Sequence, residues 1–370
     1  MKLSWRLGRV FGIDVFLHAT FLILLAWIGF SQYSREGSVR GALVSVTFTL
    51  MVFAIVVMHE LGHALTARAF GIRTRDITLL PIGGVARLER MPEKPQQELL
   101  VALAGPAVNV VLAAGLYVLL RATNQPLLPE GDAAVDAAPI LTKLLWVNVS
   151  LAVFNLLPAF PMDGGRAVRA LLALRGDYVK ATRTAATLGK TMALGIGLIG
   201  FFYNPVLVLI AWFVWAGATS EADAVETKAM LTGVSVDTAM MTDFRSLSVH
   251  DTLATASSAL LAGSQMDFPV LDDRGLPVGV LTRRDLVRGL SEGGADQLVG
   301  ATMTQELGRA DPKESLVGAL QRLREHPSNA LAVVDRDGTL VGLLTSENVG
   351  ELMLLQEALR TARQHRRGRA

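Results

Sequence analysis

His59-Glu60-Leu61-Gly62-His63 is the stretch of this 370-residue chain whose residue types and spacing point most directly to chemistry. On a helix, positions i and i+4 share a face. Two imidazoles so placed can hold one zinc ion, and the glutamate beside the first reaches a water on it. Two histidines do not complete a catalytic zinc site, which takes three protein ligands and keeps one position open. The candidate third ligand is Asp163, in Asn155-Leu-Leu-Pro158-Ala-Phe-Pro161-Met-Asp163-Gly-Gly165. The prolines and the glycine pair break a helix there and put the carboxylate on irregular backbone; the plainer reading is that Asp163 caps the next helix. His18 reads as a satisfied interior or interfacial residue, and His250, His326 and His365 carry no ligand spacing. The absence of cysteine excludes disulfides, Cys-based zinc fingers and thiol catalysis.

The elements that must position these groups are strongly apolar. The chain is 51% hydrophobic and 18% charged, with a mean hydropathy of +0.41, against roughly 25% charge in average soluble proteins. The net charge of +2 makes no case for nucleic-acid binding. Residues 15–34, 41–58, 99–120, 144–162 and 191–220 contain no Asp, Glu, Lys or Arg. A membrane crossing needs about 20 mostly apolar residues. The first four runs therefore predict one span each, and the last, interrupted by Tyr203-Asn204-Pro205, predicts two short ones. With about six spans and the N-terminus inside, the inner segments up to residue 190 hold 15 Lys and Arg and the outer loops four, as the positive-inside rule requires. The long outer loop also carries Glu130, Asp132 and Asp136. Residues 1–9 lead into the first run without a small-residue cleavage signature, which reads against a cleaved leader. Residues 41–58 extend about 27 Å as a helix. His59 and Asp163 then fall at similar depth, near the cytosolic ends of their spans, where ionisable groups are costly and mark function.

Beyond residue 220 the texture changes: residues 221–370 carry a balance of −5, against +7 for residues 1–220. Residues 269–286 realign with 332–349 at an offset of 63, matching Asp272 with Asp335, Gly275 with Gly338, Gly279 with Gly342 and Thr282 with Thr345. Each unit reads as strand, Asp/Gly turn, strand and then a helix starting near the Thr, preceded by an amphipathic helix at 252–261 or 314–324. This repeat resembles a tandem pair of cystathionine-β-synthase (CBS) domains. The resemblance implies a face-to-face α+β pair that sometimes binds an adenine nucleotide in its cleft and can support a homodimer. Thr282 and Asp285 match the family's T-x-x-D stretch, whose Asp contacts a ribose; Thr345 and Asn348 depart from it. A helix cap is the simpler role for Thr282 and Asp285. The tail 360–369, with five Arg and one His, reads as a solvated segment that could also touch anionic lipid.

The H-E-x-x-H stretch and the Asp163 segment, in this order and separation, resemble the site-2 protease family of intramembrane zinc metalloproteases. Gly8-Arg-Val-Phe-Gly12-Ile, Pro81-Ile-Gly83-Gly84-Val and Gly105-Pro106 with Asn109 extend the likeness over most of residues 1–175. The resemblance implies one catalytic Zn2+ per chain on His59, His63 and Asp163, Glu60 as general base, and proteolysis of a membrane-spanning protein within or at the edge of the lipid bilayer. Such substrates include anti-sigma factors and similar anchored regulators. Residues 77–88 read as a strand pair or as a loop with a Gly turn; as strands, with Gly83 and Gly84, they would bind an unwound substrate by strand addition. Asn155 is expected to contact the substrate backbone; Asn109 has the same capacity, and either could instead join helices.

The expected architecture is a polytopic α-helical membrane protein with about six transmembrane helices and a small membrane-associated β element, followed by a cytosolic α+β tandem CBS pair. Its divisions are a protease domain at 1–220, a linker at 221–235, CBS domains at 236–294 and 295–353, and a basic tail at 354–370. It is expected in the cell membrane, with the N-terminus and CBS pair cytosolic. A CBS-regulated transporter or channel, or a non-cleaving membrane regulator, is the competing reading; polar residues gathered into two motifs rather than spread along several spans disfavour transport.

Overall fold

The computed structural model describes residues 4–81, 83–90, 92, 94–128 and 138–367. The outer-loop acids Glu130, Asp132 and Asp136 lie outside them. The chain divides into two units, Met1–Val225 and Glu226–Ala370.

The first unit opens with strands β1 (Ser4–Val10) and β2 (Ile13–His18). They are joined by Phe11 and Gly12, both at positive φ (49° and 85°), as a two-residue hairpin turn requires. The first uncharged run is therefore not helical throughout: its first four residues belong to β2. Helix α1 (Ala19–Glu36) begins only after His18, whose ring accepts from the Thr20 N–H. Helix α2 (Val39–Ala69) precedes β3 (Thr74–Leu80) and β4 (Gly83–Leu88). The expected strand pair is thus half of a four-stranded sheet ordered β1-β2-β3-β4, with β2 and β3 parallel and the other pairs antiparallel. Asp76 and Arg87 face each other across β3 and β4 in a two-pronged ion pair (2.8 and 2.6 Å) that pins their register.

Helices α3 (Pro95–Ala122), α4 (Ile140–Asn155), α5 (Asp163–Ala173), α6 (Tyr178–Tyr203) and α7 (Pro205–Leu231) complete the unit. Among the described residues, α2, α3, α6 and α7 are long and apolar enough to cross a membrane; α4, with 16 residues, is apolar but shorter. Helix α1 has 18 residues and ends in Ser-Arg-Glu. The break expected at Tyr203-Asn204-Pro205 is present. Gly200 allows it, since a Cβ there would lie 2.7 Å from the Val208 nitrogen. Small residues fill the buried seams, among them Ala64, Ala102, Ala170, Ala185 and Ala218, while Trp27, Phe30, Phe201, Phe202 and Trp212 face outward. Lipid makes outward aromatics inexpensive, and helices then associate through small residues at close approach.

In the second unit the 63-residue repeat becomes two three-stranded sheets. The first contains β5 (Leu247–Ser248), β6 (Phe268–Leu271) and β7 (Pro277–Leu281); the second contains β8 (Gly308–Ala310), β9 (Ala330–Val334) and β10 (Leu340–Thr345). The expected amphipathic helices are α8 (Leu253–Leu261) and α11 (Leu316–Glu325). Between them lie α9 (Arg283–Gly293) and the short α10 (Val299–Thr302). The repeats exchange backbone bridges reciprocally: Met241 pairs with Leu343, and Thr304 with Val280. Gly279 and Gly342 make room for Met303 and Met240, respectively; a Cβ would sit 2.6 and 2.5 Å from their sulfurs. In both turns an Asp side chain, Asp272 or Asp335, accepts two backbone N–H groups ahead of a left-handed Gly275 or Gly338. The final helix, α12 (Ser346–Arg367), continues through most of the stretch expected as a solvated tail.

Candidate active site

His59, Glu60 and His63 lie in the last three turns of α2, and Asp163 is the first residue of α5. Asp163 is therefore helical; the irregular backbone is the Pro-containing stretch just before it. The cap is Met162, so the carboxylate is free to face α2. Gly164 and Gly165 permit this start: a Cβ on Gly164 would lie 2.2 Å from the Leu157 carbonyl oxygen, and one on Gly165 2.6 Å from Ala159.

Asp163 Oδ2 lies 3.2 Å from His59 Nε2 and 3.1 Å from His63 Nε2, and the two Nε2 atoms are 3.1 Å apart. All three residues are buried. The far side of each ring is held by an acceptor. His63 Nδ1 is 2.7 Å from the Val101 carbonyl, which only accepts, so Nδ1 donates there and Nε2 is turned toward Asp163. His59 Nδ1 is 2.5 Å from Asn109 Oδ1. The amide orientation is set further out: Asn109 donates to Asn148 Oδ1 (3.1 Å), and Asn148 donates to the Leu144 carbonyl (2.9 Å). His59 Nδ1 thus donates as well. Three potential ligand atoms, one from each residue, converge within 4.8 Å of one another. Two neutral imidazole nitrogens and a carboxylate are donors that zinc accepts in catalytic sites, so the residues present fit that metal. Gly105 on α3 completes the enclosure; a Cβ there would fall 2.2 Å from His63 Nε2 and 2.7 Å from His59 Nε2.

Glu60 borders a cavity of about 50 Å³ with His63, Ala86, Leu88, Glu98 and Arg166 among its walls. Strand β4 passes directly over Glu60: a Cβ on Gly84 would lie 3.0 Å from Glu60 Cγ, and Gly83 takes a φ of 137°. Asn155 stands apart at the end of α4, where its amide donates to the Leu151 carbonyl (3.0 Å). Asn109 joins helices and orients His59. Asn148 was not anticipated, although an Asn inside an uncharged run is itself a signal. Also unanticipated is Arg169 on α5, 1% exposed, which pairs with Glu98 of α3 and Glu221 of α7 and lies against the Phe160 and Tyr178 rings. His18 caps α1, His250 pairs with Asp273 at the surface, and His326 bonds Ser328.

In the second unit, Thr282 and Asp285 line a cavity of about 320 Å³ with Met266, Asp267, Thr304 and Asn329. Thr282 caps α9, accepting the Asp285 N–H (3.1 Å). The Asp285 carboxylate accepts from Thr282 Oγ1 (2.7 Å), Thr304 Oγ1 (3.1 Å) and Arg288 (2.8 Å). Thr345 and Asn348 repeat the cap, with 2.7 Å between Oγ1 and Oδ1.

The peptidase family M50 model matches residues 47–198, and the CBS domain model matches residues 235–292 and 299–355. Rip3 of Mycobacterium tuberculosis, which bears the name of a zinc metalloprotease, is 30% identical over 95% of this chain and 93% of its own length. A zinc metalloprotease of Methanocaldococcus jannaschii is 35% identical over 63% of this chain, a match that spans 65% of that relative. The solved site-2 protease from Methanocaldococcus jannaschii is 36% identical, with 59% of this chain and 95% of that one covered and a TM-score of 0.43. The chain belongs to peptidase family M50, the site-2 protease family, and carries a tandem pair of CBS domains.

Proposed function

We propose that the protein is an intramembrane zinc endopeptidase acting on membrane-spanning regulators, such as anchored anti-sigma factors, with residues 1–220 as its protease domain. The observation that carries this reading is the convergence of His59, His63 and Asp163, three buried potential metal ligands, beside the Glu60 carboxylate at the end of an apolar helix. His59, His63 and Asp163 would hold the metal. When bound, zinc supplies Lewis acidity, activating water near neutral pH and polarising the scissile carbonyl. Glu60 takes the proton of the attacking water and returns it to the leaving amine. Asn109 and the Val101 carbonyl hold the two imidazoles in one tautomer and orientation.

A substrate helix must unwind before its backbone can be attacked. Strand β4 is an edge of its sheet among the described residues. An extended substrate segment pairs along it, with Gly83 and Gly84 allowing close approach to Glu60 and Asn155 contacting the substrate backbone from α4. Six crossings, by α1, α2, α3, α4, α6 and α7, leave the N-terminus and CBS pair in the cytosol of a multi-pass cell-membrane protein, in keeping with the Lys and Arg bias. The CBS domains at 236–294 and 295–353 follow a linker at 221–235 and serve as a nucleotide-sensing or dimerisation module, with Thr282 and Asp285 at the adenine-nucleotide site.

Co-expression with candidate single-span proteins tests the protease. Wild type is expected to produce a cut, located by mass spectrometry, that Glu60→Gln abolishes while retaining zinc. Equal cutting by that variant would remove Glu60 from the mechanism. Adenosine nucleotide binding by the full chain, lost in Asp285→Ala, tests the second module.

A further inference from the structure

We infer that the small cavity beside Glu60 is a side-chain subsite that receives a Ser or Thr hydroxyl of the substrate next to the scissile bond; this rests on the protease reading above. Glu98, 4% exposed, spends Oε1 on Arg169 and Tyr178, while its buried Oε2 has no hydrogen-bond partner among the described residues. Arg166 Nε is buried and equally without a partner among them. Both residues line the cavity that Glu60 and His63 border. Buried polar atoms are rarely left unpaired in a finished site. One open acceptor and one open donor together match the smallest group that does both, a hydroxyl.

The remaining walls agree with a substrate side chain. Ala86 and Leu88 line the cavity, and being two apart they share a face of β4. A substrate strand added to the free edge of β4 places alternate side chains toward that same face. The volume of about 50 Å³ takes a Ser- or Thr-sized group and excludes an aromatic ring. Alanine would fit but leave Glu98 and Arg166 unpaired, which is how a hydrogen-bonding site rejects an apolar analogue.

The full-length protein, purified with zinc in detergent, is incubated with membrane-spanning peptides randomised in their central segment, and the cut sites are read by mass spectrometry. Wild type is expected to favour Ser and Thr over Ala at one position flanking the cut by about 10- to 100-fold. Arg166→Met removes the donor and Ala102→Val fills the cavity; each flattens that preference, with zinc content and thermal unfolding measured alongside. Either variant alone suffices should the other not fold. Cuts that depend on Glu60 but show no Ser or Thr preference, or the same preference in the variants, would mean the cavity holds solvent only. An absence of Glu60-dependent cuts would overturn the protease reading, and the subsite with it.

Discussion

At the candidate metal site, two imidazole nitrogens and a carboxylate oxygen converge within 3.2 Å of one another, whereas in the CBS unit Thr282, Asp285 and Thr304 spend their polar atoms on one another. Both places look like polar clusters in the sequence. The first gathers two imidazole nitrogens and a carboxylate oxygen, a donor set that suits a cation, with the far side of each ring held by Asn109 or Val101. The second is complete as a capped helix. A buried donor set that suits a metal therefore marks the candidate chemistry, and a hydrogen-bonded cap marks a scaffold.

The largest effects should come from breaking the first arrangement. His63→Ala and Asp163→Ala are expected to drop bound zinc, measured by elemental analysis, from one per chain to near none, and cleavage with it. Glu60→Gln keeps the metal and lowers cleavage about 10²- to 10⁴-fold, the usual contribution of a positioned base. Loss of zinc from the Glu60 variant would show that ligand and base are not separable here. A step down in size, Asn109→Leu removes the partner of His59 Nδ1 and should weaken zinc binding about 10- to 100-fold. Unchanged affinity would mean that the Asn109–Asn148 chain joins helices without tuning the metal.

Features carried by local spacing were legible from the residues alone: the two histidines one helical turn apart, the helix break at Pro205, and the repeated Asp, Gly and Thr positions. That Asp163 joins the two histidines was legible because few ionisable groups stand at the ends of uncharged runs. Its place inside a helix was not, because the glycine pair that would break an exposed helix is used here for close packing on Leu157 and Ala159. The last four residues of strand β2 were hidden in an uncharged run whose residues suit a sheet and a span equally. Partners joined by tertiary contact, such as His63 with Val101 and Arg169 with Glu98, 38 and 71 residues apart, leave no periodic trace. Asn155 drew attention by its closeness to Asp163 in sequence, yet Asn109 is the amide that reaches a histidine, with Asn148 behind it.

Smaller effects belong to the second arrangement. Thr282→Val and Thr345→Val each delete a helix cap and should cost about 1 kcal/mol, seen as lower urea midpoints for the CBS unit. Similar losses in both repeats sharpen the view of a scaffold. A loss of adenosine nucleotide binding confined to Thr282→Val would move the first repeat toward a ligand site.

Asp267 provides the finest test, because it lines the cavity beside Thr282 and Asp285 and the fold opposes its charge. Burial pushes its carboxyl up to about 6, and Glu347 and Asp285 add to this against a hydrogen bond from the Arg283 backbone. Unfolded, the same group ionises near 3.9. Between these values the folded chain binds the extra proton, so this contribution to stability is fully present below about pH 4 and is lost as pH rises through about 6. At pH 7 the ionised carboxylate then costs on the order of 1 kcal/mol, after allowance for its partial exposure. Asp267→Asn removes the titration. It is expected to raise the urea midpoint of the CBS unit at pH 7 and leave it near the wild-type value at pH 4. An equal shift at both pH values would tie the effect to packing instead. A shift confined to pH 7 would show that this cavity carries an unfavourable charge that the rest of the CBS unit offsets.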